Sequence, residues 1–326
     1  MKKIFRLMLA VAAIASVVSC AKEAAIPAGE EVEVSFVANL AGAPGSRAIA
    51  DGTTVDEVAY AIYESGSNIP TSLKGTLVLD ANKQATFSTR LVAGKIYDIA
   101  FFAYKAATTA STDGGVNPLH YEVIWDEQKV CMKLDPKQAN DETRDCFWHV
   151  ATGIDVKKQD KYNFTLSRPL AQLNLGVTPG DIEAARKAGF SVTDTQITVN
   201  TYTQFNMFTG ELTEQNPINV TFDRADSPID ADNEVLVIEK DSNVYEYYKY
   251  LATTYILVGE KKVTSDVSVT LWANDGNVLN TLNYSFVPFQ RNYRTNILGE
   301  LLTNPATFSI VVEEGFENDF NGPDFQ

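Results

Sequence analysis

The chain holds two histidines, His120 and His149, and three cysteines, Cys20, Cys131 and Cys146. Any Ser-His-Asp or Cys-His nucleophilic machine has to be built from that short set. Neither histidine lies in a nucleophile context, and the sequence contains no G-x-S-x-G elbow, P-loop or paired-histidine metal motif. Both lie near tryptophans, Trp125 and Trp148, where histidine usually serves packing or surface roles. Cys131, Cys146 and His149 match no zinc spacing and lack a fourth ligand, so no metal and no cofactor is expected and the chain does not read as an enzyme. In an exported chain Cys131 and Cys146 can instead pair, and closing that loop would add about 3 kcal/mol. Tyr245, Tyr247, Tyr248, Tyr250 and Tyr255 can be read as a carbohydrate-stacking platform or as core and cross-strand packing, the commoner use of such a group. Arg291 and Arg294 can each hold a carboxylate or carbonyl bidentately, which in a chain with 27 basic against 42 acidic residues suits tying the last strand to its sheet. One reactive bond stands out. Arg47-Ala48 follows the run Ala41-Gly42-Ala43-Pro44-Gly45-Ser46, small residues that build neither helix nor sheet and present the arginine in an extended loop open to proteases. The chemistry is done to this chain, not by it.

The element that bond controls comes just before it. In Glu31–Leu40, Val32, Val34, Phe36, Ala38 and Leu40 alternate with Glu33, Ser35, Val37 and Asn39, the period of a half-buried strand. Burying the five apolar side chains is worth roughly 5–10 kcal/mol gross, so cutting at Arg47 and losing the strand would open a groove that something else must fill. Further upstream, Lys2, Lys3 and Arg6 form a positive n-region and Leu7 to Val18 an apolar one too short to span a bilayer. Val17-Val18-Ser19-Cys20 closes it, and this resembles a bacterial lipoprotein signal, with Cys20 carrying the lipid and Val17 where leucine is commoner. Lys22-Glu23 looks like the charged signal that sends Bacteroidetes lipoproteins to the cell surface.

About 300 residues remain after the signal, enough for two domains. The net charge of −15 argues against nucleic acid as a partner and for a solvated, self-repelling surface. Strand patterns run through Val55–Tyr63, Lys74–Leu79 and Lys95–Tyr104, the last apolar on both faces as in a sandwich centre. Asp80-Ala81-Asn82-Lys83 has the residues of a hairpin turn joining Leu79 to Ala85. Asn163–Leu175 alternates across Pro169, which belongs at an edge or bulge and marks the crossover between domains. One short helix is expected, with Asp181 as N-cap, Ile182 to Ala188 as its body and Gly189 as terminator. Val263–Trp272 and Val278–Val287 flank the tight turn Asn274-Asp275-Gly276-Asn277.

Three segments then carry a family signal: Arg168-Pro169-Leu170-Ala171-Gln172-Leu173-Asn174, the run from Tyr248-Lys249-Tyr250-Leu251-Ala252 to Tyr255-Ile256-Leu257-Val258, and above all Gln290-Arg291-Asn292-Tyr293-Arg294-Thr295-Asn296-Ile297-Leu298-Gly299-Glu300-Leu301-Leu302-Thr303. With the lipoprotein start and the Ser46-Arg47-Ala48 site, the chain resembles the fimbrillins of Bacteroidetes, subunits of type V pili. The resemblance implies a mostly β protein with two β-sandwich (transthyretin-like) domains: signal peptide 1–20, propeptide with removable strand 21–47, N-terminal domain 48–166 and C-terminal domain 167–326. It also implies a pilus subunit contributing to adhesion. A precursor anchored in the outer membrane by the Cys20 lipid would be cut after Arg47 by an arginine-specific protease. It would then polymerise at the cell surface with other copies or related pilins. Phe308, Ile310 and Val312, on one face of Thr307–Glu314, are then the donor strand, and otherwise an ordinary last strand. An accessory tip or anchor subunit, and a monomeric surface lipoprotein that binds glycan, are the competing readings.

Overall fold

Two strands buried almost end to end organise the molecule: IYDIAFFAY at Ile96–Tyr104 and LAQLNLGV at Leu170–Val177. A strand that is apolar on both faces has to be covered on both, and each of these sits inside a sheet packed on two sides. The computed structural model describes residues 28–41, 52–108, 116–156, 161–231, 235–241 and 244–314. Among them the first half forms β1 (Glu31–Leu40), β2 (Glu57–Glu64), β3 (Lys74–Val78), β4 (Gln84–Val92), β5 (Ile96–Tyr104), β6 (Tyr121–Ile124), β7 (Lys129–Met132), β8 (Phe147–Asp155) and β9 (Lys161–Leu166). The second half forms β10 (Leu170–Val177), α1 (Pro179–Lys187), β11 (Asp194–Thr201), β12 (Gln204–Asn206), β13 (Ile218–Asp226) and β14 (Val235–Asp241). It ends with β15 (Val244–Leu257), β16 (Val263–Trp272), β17 (Val278–Phe289), β18 (Tyr293–Gly299) and β19 (Phe308–Glu314).

The protein is mostly β. A sheet ordered β4-β1-β9 packs on one face of β3-β2-β5-β8, and their inner side chains, among them Val34, Phe36, Val58, Ile62 and Phe101, form one core. A five-stranded sheet, β14-β15-β10-β18-β19, packs likewise on β13-β11-β16-β17 around Leu173, Leu175, Ile197, Val269 and Ile297. The outer faces of β2-β5 and β15-β10 are then buried toward each other around a third core with Phe102, Tyr104, Tyr250 and Tyr255. A small sheet, β12-β7-β6, joins the halves, since β12 of the second half pairs with β7 of the first.

Several local expectations change form. The turn at Asp80 is present, with the Asp80 carboxylate accepting the Asn82 and Gln84 amides. It does not close a hairpin, because β4 pairs with β1 while β3 pairs with β2, so the turn carries the chain from one sheet to the other. The single strand expected across Pro169 is two strands in different sheets, broken at Ser167–Pro169. The helix starts earlier: the Thr178 hydroxyl accepts the Asp181 amide and caps it, with Pro179 in the first turn. Asp181 is used elsewhere, accepting the amides of Leu302 and Thr303. Gly189 ends the helix with φ +81° as its position requires. The hairpin of β16 and β17 forms around Gly276 as expected.

Cys131 and Cys146 are free thiols, so the pairing left open by the sequence is not made. The period of β7 explains it. Val130 and Met132 line the same small apolar space as Cys146, so Cys131 between them points to the opposite face.

Candidate functional site

The first strand is set as a plug. β1 lies between two partners, antiparallel to β4 from Glu31↔Val92 to Asn39↔Gln84 and parallel to β9 from Ser35↔Lys161 to Leu40↔Leu166. Val34, Phe36, Ala38 and Leu40 are buried and Val32 half-buried, all on the core side. Phe36 is the keystone: its ring stacks on Phe87 of β4 at 5.2 Å and on Tyr162 of β9 at 5.7 Å, forming a three-ring row across the sheet. Phe164, the next β9 aromatic, stacks in turn on His149 at 5.4 Å. Without β1, the edges of β4 and β9 would face each other across about 10 Å, two strand spacings, with unpaired backbone groups on both sides.

Both ends of the plug are tied by few bonds. The Gly29 amide donates to Ala93 O and the Ala93 amide to Glu30 O at one end, and the Ala41 amide to Leu166 O at the other. Asn39 donates to Phe164 O at 3.2 Å and accepts from the Gln84 side chain. Cys20, Arg47 and Ala48 lie outside the described residues. The chain is held again from Gly52, whose φ of +79° and approach to the Phe147 ring leave no comfortable room for a side chain. Val55 is fully buried, Thr54 donates to Glu142 O at 2.9 Å, and Lys83 donates to Thr53 O and Val55 O. Phe147 is in turn covered by the Arg168 guanidinium, 4.2 Å above its ring and bidentate to Asp145 at 2.8 Å in a fully buried ion pair. The first motif arginine thus supports the segment that begins at Gly52. Burial raises the Asp145 carboxyl above its ordinary value, with Arg168 acting against that shift.

The last strand is built differently. Among the described residues β19 pairs on one side only, antiparallel to β18. Phe308 is 42 % exposed, touching Tyr284 edge-on at 4.8 Å, and Ile310 and Val312 are half-buried. Gly299 lets the strand approach: a Cβ there would lie 2.5 Å from the Thr307 carbonyl oxygen. Glu313 accepts from Asn296 at 2.6 Å, and burial raises its carboxyl above the ordinary value, with Arg294 and Asn296 acting against that shift. Arg291 does tie its segment down, donating to Gly210 O and lying 5.3 Å over the Trp148 ring.

The other candidates resolve into packing. Tyr250 and Tyr255 are fully buried and Tyr248 nearly so, leaving Tyr245 and Tyr247 half-buried, so the five tyrosines do not form an exposed platform. His120 is buried with Nε2 2.8 Å from Thr143 Oγ1 and 3.1 Å from Asp141 Oδ2, a contact that holds a loop. His149 is partly buried, and burial lowers its proton affinity. Sequence reasoning missed the parallel partner of β1. Its signal was the alternation of Tyr162, Phe164 and Leu166, which matches Phe36, Ala38 and Leu40 position for position.

The fold and site define a class: a two-sandwich β protein whose first strand fills a groove between two other strands. Residues 26–325 match the model of a family described as a family of unknown function, DUF6562, and the chain belongs to that family. No curated protein matches the sequence. Among solved structures, the chain is similar to the tip fimbrial protein Mfa3 from Porphyromonas gingivalis with C-terminal truncation. The two are 10 % identical, with TM-score 0.47, over 87 % of this chain and 100 % of that one. It is also similar to a fimbrial assembly protein from Parabacteroides distasonis, at 12 % identity and TM-score 0.43 over 87 % and 97 %. Similarity this low transfers no role from them to this chain.

Proposed function

We propose that the protein is a structural subunit of a surface pilus, assembled by strand exchange and contributing to adhesion. The observation that carries this reading is the place of β1: a central strand, buried on its core face, whose covalent link to the strands that follow runs through the segment containing Arg47. A central strand is normally protected by its connections; one followed by a protease-sensitive link is a strand that can be taken out. The precursor reaches the cell surface on the outer membrane through its Cys20 lipid, an arginine-specific protease cuts Arg47-Ala48, and β1 leaves. A strand of a neighbouring copy or related pilin then fills the gap, with main-chain bonds supplying affinity and alternating pockets supplying register. Head-to-tail exchange does not close on itself and so yields filaments. A chain with both a cuttable link and an extended last strand suits a stalk position better than a tip or anchor. The domain spans 48–166 and 167–326 then act as the groove-bearing and strand-bearing halves.

The test is the mass and N-terminal sequence of protein sheared from the native cell surface. A start at Ala48 in material that runs as an SDS-resistant ladder until heated is expected. A lipidated start at Cys20, with the full mature mass and no ladder, would leave an anchor subunit or monomeric surface protein.

A further inference from the structure

Phe286 is the most exposed large apolar side chain among the described residues, at 79 %, and its backbone has φ +58°. A phenylalanine in the left-handed region is strained, and here the strain brings no packing in return. A bulge puts it there. Ser265 pairs with Val287 and Val267 with Tyr284, so Asp266 alone faces two residues, Ser285 and Phe286. Tyr284 and Val287 point into the core, and both residues between them stand outside. The Phe286 amide donates to Asp266 Oδ1 at 3.3 Å and holds the bulge. β17 is an edge strand, where a bulge guards against pairing with another sheet. Glycine or asparagine would serve that purpose at less strain, so the guard explains the bulge and not the ring.

The ring stands toward one end of the outer face of β13-β11-β16-β17. On that face Thr221, Thr198, Ser268 and Asn283 line up directly opposite one another across the four strands. A second row holds Gln196, Thr270 and Thr281. Some of these groups already touch, with the Thr198 and Thr221 hydroxyls 2.9 Å apart and those of Thr270 and Thr281 3.3 Å apart. In a chain of net charge −15 the two rows carry no charge at all. The charged groups of the face lie at its margins: Asp194 with Arg224 at 2.7 Å, Asp223 at 3.6 Å from Lys137, and Asp266 beside the ring. We propose that this face binds a neutral glycan, one sugar laying its C–H face on Phe286 and the next sugars bonding to the hydroxyl and amide rows. The negative face of an aromatic ring attracts such C–H groups, and Thr, Ser, Asn and Gln side chains can each donate to and accept from a sugar hydroxyl. Asn283 is three residues from the ring, about 10 Å along the strand, so the ligand is an oligosaccharide and not a single sugar. An acidic glycan would meet Asp266 with no cation in either row. A protein partner would call for a cluster of apolar anchors, and here one ring and Pro288 stand among Ser285, Asp266 and Asn283. Neither β1 nor β19 belongs to this sheet, so the inference stands apart from strand exchange.

The test applies the purified, uncut chain to an array of neutral oligosaccharides built from galactose, glucose, mannose and fucose, with sialylated and sulfated counterparts, beside Phe286→Gly, Phe286→Tyr and Asn283→Ala. Expected is binding to neutral members of the array that falls about tenfold in Phe286→Gly, is kept in Phe286→Tyr and weakens several fold in Asn283→Ala. Phe286→Gly should unfold at nearly the parent temperature, because the strain relieved offsets the added freedom of the unfolded chain. A marked drop in that temperature would show that the ring serves the fold and would overturn the proposal. A silent array, binding confined to acidic members, or undiminished binding by Phe286→Gly overturns it as well. A silent array together with self-association of the parent chain that Phe286→Gly abolishes would make the face a contact between copies instead.

Discussion

β1 and β19 are both short apolar strands near the two ends of the described chain, yet the fold treats them in opposite ways. β1 has a partner on each side and its core-facing residues are buried from Val34 onward. Among the described residues β19 has one partner, and no side chain described in it is fully buried. The first cannot leave without opening a core; the second can leave by giving up one ladder and a half-covered face. A stable plug and a readily released strand in one molecule are what exchange between copies requires, because the groove must be deep enough to reward whatever fills it.

The contrast can be tested at decreasing scale. Phe36→Ala removes the middle ring of the Phe87–Phe36–Tyr162 row and should cost about 3–5 kcal/mol in urea unfolding of the uncut chain, while Ile310→Ala should cost about 1–2 kcal/mol. Equal losses would mean β19 is as integral as β1. Gly299→Val should push β19 off β18 at a cost of about 1–3 kcal/mol, seen as faster hydrogen exchange in both strands with β1 amides unchanged. After cutting at Arg47 this variant should assemble faster than the parent.

The smaller effects concern charge. Burial raises the folded-state pKa of Glu313 above its unfolded value near 4.5, with Arg294 and Asn296 opposing the shift. Docking of β19 on its own sheet is then firmest below the unfolded pKa and weakens as pH rises through it toward the folded pKa. Exchange of the β18 and β19 amides, corrected for intrinsic rates, should become less protected across that window, and Glu313→Gln should flatten the dependence. The Glu31–Arg90 pair, 3.9 Å apart and exposed, should matter least: Arg90→Gln is expected to shift stability of the uncut chain by less than about 0.5 kcal/mol.

How much of this the sequence carried depends on the range of the interactions. β1 was legible because period-2 alternation is local and its inward residues are strongly apolar. The helix was legible in position, but its cap was not: Asp181 has the right chemistry for an N-cap, and only the distant amides of Leu302 and Thr303 divert it to another task. The turn at Asp80 was read correctly as a turn and misread as a hairpin, since strand partners are chosen by the sheet as a whole. The same holds for β9, a parallel partner more than a hundred residues from β1: the alternation of Tyr162, Phe164 and Leu166 marks it as a strand, but only the assembled sheet selects β1 as its neighbour. The free thiols follow from strand parity, which becomes readable only once the exact bounds of β7 are known. The tyrosine group was left between platform and packing by the sequence, and its burial in β15 decides for packing.

The central claim is that β1 is a removable plug. The most direct measurement is native mass spectrometry of the purified full chain before and after an arginine-specific protease cuts at Arg47. The account predicts that the fragment ending at Arg47 separates as the remaining chains join into a series of oligomers resistant to SDS. A cut chain that keeps its fragment bound and stays monomeric would contradict it.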